Sequence, residues 1–255
     1  MLSDAPIHPS IAVADLARAR NWYAEKLGWE PTIEAPSTLV YEINASAFTL
    51  YETEVAGTAK NTVMNWNVAD LPAEVARLRE RGVVFEEYDY GDIKTVDGIL
   101  TDPAGGTYAW FKDSEGNTIG VARPPDAHRA TGIVSAMLAA ADIDRAKAWY
   151  GEKLGLVPVT EVAGGVVRFD CGGTFFNVYK TDFAGTAKNT VAVWRLKGIR
   201  DEVARLRGNG VVFEDYDFGD GDKTVGGILS DAEGDINAWF TDSEGNILAI
   251  AEDRN

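Results

Sequence analysis

Eight residues, AGTAKNTV, occupy positions 56 to 63 and return unchanged at 184 to 191. The match extends in both directions. DLARARNWYAEKLG, from Asp15 to Gly28, answers DIDRAKAWYGEKLG, from Asp142 to Gly155; EVARLR at 74 to 79 returns at 202 to 207, and GVVFE at 82 to 86 returns at 210 to 214. The offset drifts only from 127 to 129, which needs no more than single-residue insertions, so one module is duplicated in tandem. A period of that length is a whole domain and not a solenoid blade. RPPDAHRATG, at 123 to 132, carries paired prolines and polar residues and reads as a linker between a first module, 1–122, and a second, 133–255.

With 255 residues, 45% of them hydrophobic, the chain has material for a sizeable core. The 24 basic residues face 40 acidic ones, a net charge of −16. Such a field repels phosphate backbones and anionic lipid, so nucleic acid and membrane surfaces are not expected partners. Cys171 is the single cysteine, which excludes an intramolecular disulfide and gives no sign of an oxidising compartment. No secretory pattern opens the sequence, and no apolar run reaches the roughly 18 residues of a membrane span. The expected location is the cytoplasm.

Within each module the punctuation repeats at a coarser scale. IAV at 11 to 13 reads as a strand running into Asp15 as a helix N-cap; Leu16, Tyr23 and Leu27 share a helical face, and Gly28 supplies the stop. β-rich segments follow at 39 to 43 and 47 to 53. TVMNWNV at 62 to 68 leads into a second helix with Val75 and Leu78 on its apolar stripe, and further strands come after it. Each module therefore reads as strand, helix, three strands, written twice: an α+β plan with helices covering one face of a curved sheet.

HPSIAVADLARARNWYAEKLGW resembles the opening of a vicinal oxygen chelate module, the superfamily of glyoxalase I, bleomycin-resistance proteins, fosfomycin-resistance enzymes and extradiol dioxygenases. WFKDSEGNTIGVA resembles that module's closing hairpin, usually written with DPDGN. The resemblance implies tandem modules, each of paired βαβββ units whose sheet curls into a cup. It also implies a divalent metal in the cup, held by histidine and glutamate and open to substrate oxygens.

Position by position, the implied ligands are mostly missing. His8, seven residues before Asp15, matches the first; its counterpart in the second module is Ser135. Val63 and Val191 stand where the family has a histidine, Gly120 and Ala249 where it has a glutamate, and Thr49 and Asn177 align with the remaining ligand. His128, in the linker, is the only other histidine. An imidazole and carboxylate centre needs three or four converging donors, so no cofactor is expected, and a divalent metal would need His8 plus unaligned carboxylates.

Strand alternation suggests what lines the cups instead. If Val63 faces inward, so do Asn65 and Asn67, and in the second module Val191, Val193 and Arg195. On module lines this groups His8 with Asn67 and Ser135 with Arg195. Tyr51 and Tyr179 end matched strands, Tyr88, Tyr90, Tyr216 and Phe218 follow the GVVFE strands, and Trp110 and Trp239 precede the closing turn. Trp66 and Trp194 read as core. Concave walls of this composition suit a flat organic ligand. Lys94 and Lys223, in the loops YDYGDIKTV and YDFGDGDKTV, are expected near the mouth.

The leading expectation is a metal-independent protein that holds an aromatic or amphipathic small molecule at Thr49, Tyr51, Asn65, Asn67, Tyr90, Trp110, Asn177, Tyr179, Arg195 and Trp239. The alternative is a lyase, isomerase or dioxygenase that uses His8 as general base or in a reduced metal site, with Tyr51 or Arg195 steering negative charge. Either protein works as a monomer with internally paired modules or as a homodimer.

Overall fold

The computed structural model describes residues 1–90, 93–125, 132–162, 165–219, 222–231 and 234–252, with the side chains of Tyr90, Ile93 and Val162 outside the description. Most of the linker, with His128, also lies outside it. The first repeat runs β1 (Ile7–Val13), α1 (Leu16–Trp22), β2 (Ile33–Ala35), β3 (Thr38–Ile43), β4 (Ser46–Glu52), β5 (Thr62–Asn67), α2 (Leu71–Glu80), β6 (Asp89–Tyr90), β7 (Ile93–Lys94), β8 (Leu100–Thr101), β9 (Thr107–Lys112) and β10 (Thr118–Arg123). The second runs β11 (Ile133–Ala140), α3 (Ile143–Trp149), β12 (Pro158–Val162), β13 (Val166–Cys171), β14 (Thr174–Lys180), β15 (Thr190–Arg195), α4 (Ile199–Gly208), β16 (Asp217–Gly219), β17 (Asp222–Lys223), β18 (Leu229–Ser230), β19 (Ile236–Thr241) and β20 (Ile247–Glu252).

The helix signals are used as the sequence spells them. Asp15 and Asp142 accept from the backbone N–H groups of Arg18 and Arg145 at 2.8 and 3.0 Å, and Gly28 and Gly155 end the segments at φ 77° and 75°. The last turn of each is π-helical, over Tyr23–Leu27 and Tyr150–Leu154. Asp70 caps α2 through the N–H of Ala73. Its counterpart in α4 is Gly198, and there the carboxylate of Glu252 on β20 accepts the N–H of Ile199 at 2.9 Å instead.

The strands form two curled eight-stranded sheets of mixed direction. One has the order β18-β19-β20-β15-β1-β4-β3-β2, the other β12-β13-β14-β11-β5-β10-β9-β8. Each sheet therefore joins the first unit of one repeat to the second unit of the other. The seams are antiparallel: β1 meets β15 with His8 opposite Val193, and β11 meets β5 with Ser135 opposite Asn65.

Two units of the same repeat are joined through their helix-covered faces and not through strand pairing. Trp29 packs edge-on against Trp66 at 4.9 Å, Trp22 lies 5.9 Å from Phe111, and the Tyr23 hydroxyl donates to Asp113 at 3.1 Å. This helix layer occupies one face of each unit, so the free edges of β1 and β11 find their partners in the other repeat. Bonds cross in the same sense elsewhere: Ile7 N–H donates to Thr174 Oγ1, and Val134 N–H to Ser46 Oγ, both at 2.8 Å.

DSEGN, expected as a hairpin turn, is also the polar lock of each repeat. Asp113 Oδ1 accepts the N–H groups of Glu115 and Asn117, Asn117 Nδ2 reaches Ala12 O at 3.0 Å, and Glu115 caps Ala14 N–H while pairing with Arg18 at 2.8 Å. Asp242, Asn246, Glu244 and Arg145 repeat these contacts in the second half. Burial pushes the carboxyl groups of Asp113 and Asp242 up, against the opposing pull of those donors.

Candidate functional site

The helices take one face of each sheet, and the other lines a cup. Ladder partners share a face, so the register identifies the lining. In the first cup, His8 lies opposite Val193, Val193 opposite Ala249, and Ala249 opposite Trp239. Further along β1, Ser10 pairs with Thr49 and Ala12 with Tyr51, while Arg195 pairs with Ala251 on β20. In the second cup Ser135 lies opposite Asn65, Asn65 opposite Gly120, and Gly120 opposite Trp110. Met137 pairs there with Asn177, Ala139 with Tyr179, and Ala122 with both Asn67 and Tyr108.

This changes the company that each sequence-chosen residue keeps. His8 shares a cup with Thr49, Tyr51, Arg195 and Trp239, whereas Asn65, Asn67, Trp110, Asn177 and Tyr179 share the other. Strand parity is legible in one sequence; the exchange of units between repeats is not. Trp194 is fully buried and Trp66 nearly so, both on the helix side as core residues.

The hydroxyls of Tyr51 and Tyr179 are engaged by the opposite repeat. Thr190 N–H donates to Tyr51 at 2.8 Å, and Thr62 N–H to Tyr179 at 2.7 Å. Burial, only partly offset by Thr190 and Asn189, pushes the Tyr51 phenol up to about 12, and burial raises Tyr179 as well. Both are neutral phenols at physiological pH. Cys171 is buried with its thiol pushed up to about 11 by burial, which is not the environment of a nucleophile.

Aromatic clusters stand beside both tryptophans. In the first cup Tyr216 lies edge-on to Trp239 at 5.8 Å, and Phe218 lies 5.4 Å from the same ring. In the second, Tyr88 is edge-on to Trp110 at 5.5 Å and Tyr108 stacks beside it at 6.3 Å. Phe218 arrives on the β16–β17 hairpin, and Tyr216 and Tyr88 directly precede β16 and β6, so these loops belong to the cup walls. Lys94 on β7 pairs with Asp89 at 2.9 Å.

Sequence reasoning passed over Tyr108 and Arg168. Arg168 pairs with Asn177 in the β13–β14 ladder, which puts it on the second cup's face; its guanidinium stacks 3.6 Å above the Phe175 ring and donates to Asp170 at 2.7 Å. The alternation in VVRFD carried that signal.

The residues present do not fit the superfamily's metal. Of the implied ligand positions, the first cup offers one imidazole, His8, beside Thr49 and Ala249, and the second offers Ser135, Asn177 and Gly120. At Gly120 a glutamate would have to displace the Asn65 side chain, whose Oδ1 fills the space a Cβ would take. Among the described residues no three histidine, cysteine, aspartate or glutamate side chains converge as a metal site.

The comparisons agree with this architecture. The model of the Glyoxalase/Bleomycin resistance protein/Dioxygenase superfamily matches residues 6–121. Glyoxalase I from Zea mays superposes with a TM-score of 0.67 at 12% identity, over 96% of this chain and 91% of that one. A candidate dioxygenase from Bacillus subtilis subsp. subtilis str. 168 superposes with a TM-score of 0.60 at 15% identity, over 97% and 84%. At such identities the likeness is one of fold. Among curated proteins no sequence matches. No described helix is long and apolar enough to cross a membrane. With two curled sheets built from a duplicated module, it is the first module, over residues 6–121, that carries the sequence pattern of the Glyoxalase/Bleomycin resistance protein/Dioxygenase superfamily, and the second repeats that module in tandem.

Proposed function

We propose that this chain is a metal-independent small-molecule-binding protein that holds an aromatic or amphipathic ligand in its cups. The observation that carries the reading is the replacement of metal donors by neutral and apolar side chains beside intact aromatic walls. Asn65 occupies the space above Gly120 at one ligand position, while Trp110 stands against Tyr88 and Tyr108, and Trp239 against Tyr216 and Phe218. Such walls offer a flat ligand large apolar area with defined stacking geometry. The pairing of repeats within one chain supports a monomer as the working unit, with a homodimer as the alternative. We place it in the cytoplasm, where its single cysteine stays reduced.

The test is tryptophan fluorescence on the intact chain against a panel of aromatic natural products, with native mass spectrometry of the protein as isolated. Saturable quenching, lost in part in Trp110→Phe or Trp239→Phe, is expected. A panel that produces no saturable change, together with a stoichiometric metal adduct that disappears in His8→Ala, sinks the reading.

One observation favours a second reading, an enzyme without the usual metal: the exchanged strands place His8 and Arg195 on the same concave face. His8 would act as general base and Arg195 would stabilise developing negative charge. Turnover abolished in His8→Ala with ligand affinity retained would favour it over simple binding.

A further inference from the structure

Five matched positions separate the two cups chemically. Where the first has His8, Thr49, Val193, Arg195 and Ala249, the second has Ser135, Asn177, Asn65, Asn67 and Gly120. At these positions the first lining has an imidazole, a guanidinium and the Thr49 hydroxyl beside Val193 and Ala249. The second is made of carboxamides and a hydroxyl.

These amides occupy one continuous strip across the second sheet. From β14 through β11 and β5 to β9, the ladder sets Asn177 beside Met137, Ser135 beside Asn65, and Trp110 beyond the gap at Gly120 that Asn65 fills. Ser135 is 1% exposed and Asn67 6%, so the floor is screened from bulk water, while Asn65, Asn177 and Trp110 are half-buried and reachable. Asn177 Nδ2 meets Ser135 Oγ only at 3.5 Å, the long limit for an oxygen acceptor, and at 3.5 Å also meets Met137 Sδ, a weak acceptor. A ligand group at normal distance would improve on both.

Of the described cations on this face, Arg168 is paired with a carboxylate, while Lys112 stays charged at the exposed end of β9. Arg168 is held by Asp170 and Phe175, and Lys112 Nζ donates to Thr118 Oγ1 at 3.0 Å. Lys112 lies two residues beyond Trp110 on β9, at the Thr62 end of the strip, so an anion seated between Asn65 and Asn177 would shed water beside an Arg168 already paired with Asp170. A carboxamide presents an acceptor and a donor side by side, which matches the C=O and N–H of a ring amide.

Building on the binding function proposed above, we propose that the second cup takes an uncharged planar ligand bearing a ring amide, held edge-on by Asn65 and Asn177 and stacked on Trp110, and that it rejects the corresponding carboxylate.

Isothermal titration of the full chain with 2-quinolinone and quinoline-2-carboxylate tests this, with Asn65→Asp and Asn177→Leu as variants and near-ultraviolet circular dichroism as the check on folding. The expected result is one equivalent of 2-quinolinone bound, weakened about tenfold or more in each folded variant, since each loses a matched hydrogen bond. Carboxylate affinity is expected to be unchanged by either. The proposal is overturned if 2-quinolinone binds equally well to both variants, or if the variants weaken the carboxylate. It also falls if the wild type binds no 2-quinolinone; saturable binding of another aromatic in the wider panel then shows that the general binding function stands and only this ligand class fails.

Discussion

The backbone N–H of Lys188 donates to Thr58 Oγ1 at 3.0 Å, and the N–H of Lys60 returns the bond to Thr186 Oγ1 at 3.3 Å. The two copies of AGTAKNTV therefore touch each other about a local two-fold axis. A contact of this kind uses the same surface on both sides, so both copies carry the same hydrogen-bonding demands. Each threonine is also fixed by its own turn, Thr58 donating to Val55 O and Thr186 to Phe183 O. Thr58→Val with Thr186→Val is expected to cost about 1–2 kcal/mol in urea unfolding, with cup geometry retained by near-ultraviolet circular dichroism. A double variant as stable as the parent would leave this contact without an energetic role.

The DSEGN lock predicts an acid dependence. For Glu115 and Glu244, burial pushes the carboxyl up, but hydrogen bonds from Arg18 and Ala14, and from Arg145 and Asp142, outweigh it and hold both below the usual glutamate range. Their stabilisation is fully present above the unfolded value, about 4.3, and is lost as pH falls through the lowered folded value. Asp113 and Asp242 work in the opposite sense: their raised folded values favour the folded state as pH drops. Glu115→Gln should therefore lower the urea midpoint at pH 7 and show a smaller penalty at pH 3. An equal penalty at both pH values would show that the charge on Glu115 is not what stabilises the turn.

The repeat, the helix caps and the βαβββ order were legible in the sequence because they rest on local signals: Asp15 and Asp142 before the helices, Gly28 and Gly155 after them, and alternation along 62 to 68. Strand partnership was not, since β1 could meet either copy of the second unit without any change in periodicity. That is why His8 was set beside Asn67 when the register gives it Val193 on the strand that carries Arg195. The occupancy of Gly120's space by Asn65 was equally hidden, because it depends on β5 and β10 lying side by side. The missing donors themselves could be read directly.

That steric relation is open to a double-mutant cycle. Gly120→Ala alone pushes a methyl group into Asn65 Oδ1 on a central pair of strands, and overpacking of this sort costs about 1–3 kcal/mol. Asn65→Ala vacates the space, so the double variant should recover most of the loss made by Gly120→Ala. Thermal unfolding of the four proteins measures the coupling. Additive effects would mean that the Asn65 side chain has somewhere else to go.

Tyr51 and Tyr179 join the repeats from within the cups, and their hydroxyls can be removed one at a time. In Tyr51→Phe the N–H of Thr190 loses its 2.8 Å acceptor at a largely buried site, a change expected to cost about 1–3 kcal/mol. The same substitution should alter the alkaline limb. The phenol ionises near 10 in the unfolded chain and is pushed up to about 12 by burial here, so its contribution to folding is complete below pH 10 and disappears as pH rises through 12. The penalty for Tyr51→Phe should accordingly shrink between pH 9 and pH 12 in urea titrations, while the ultraviolet signal of tyrosinate loses amplitude at the highest pH. A penalty that stays constant across that range would mean the hydroxyl matters through packing alone. Because Thr190 opens β15, the strand that carries Arg195, loosening it should weaken ligand binding in the first cup and leave the second cup, tied by Tyr179 to Thr62, unaffected.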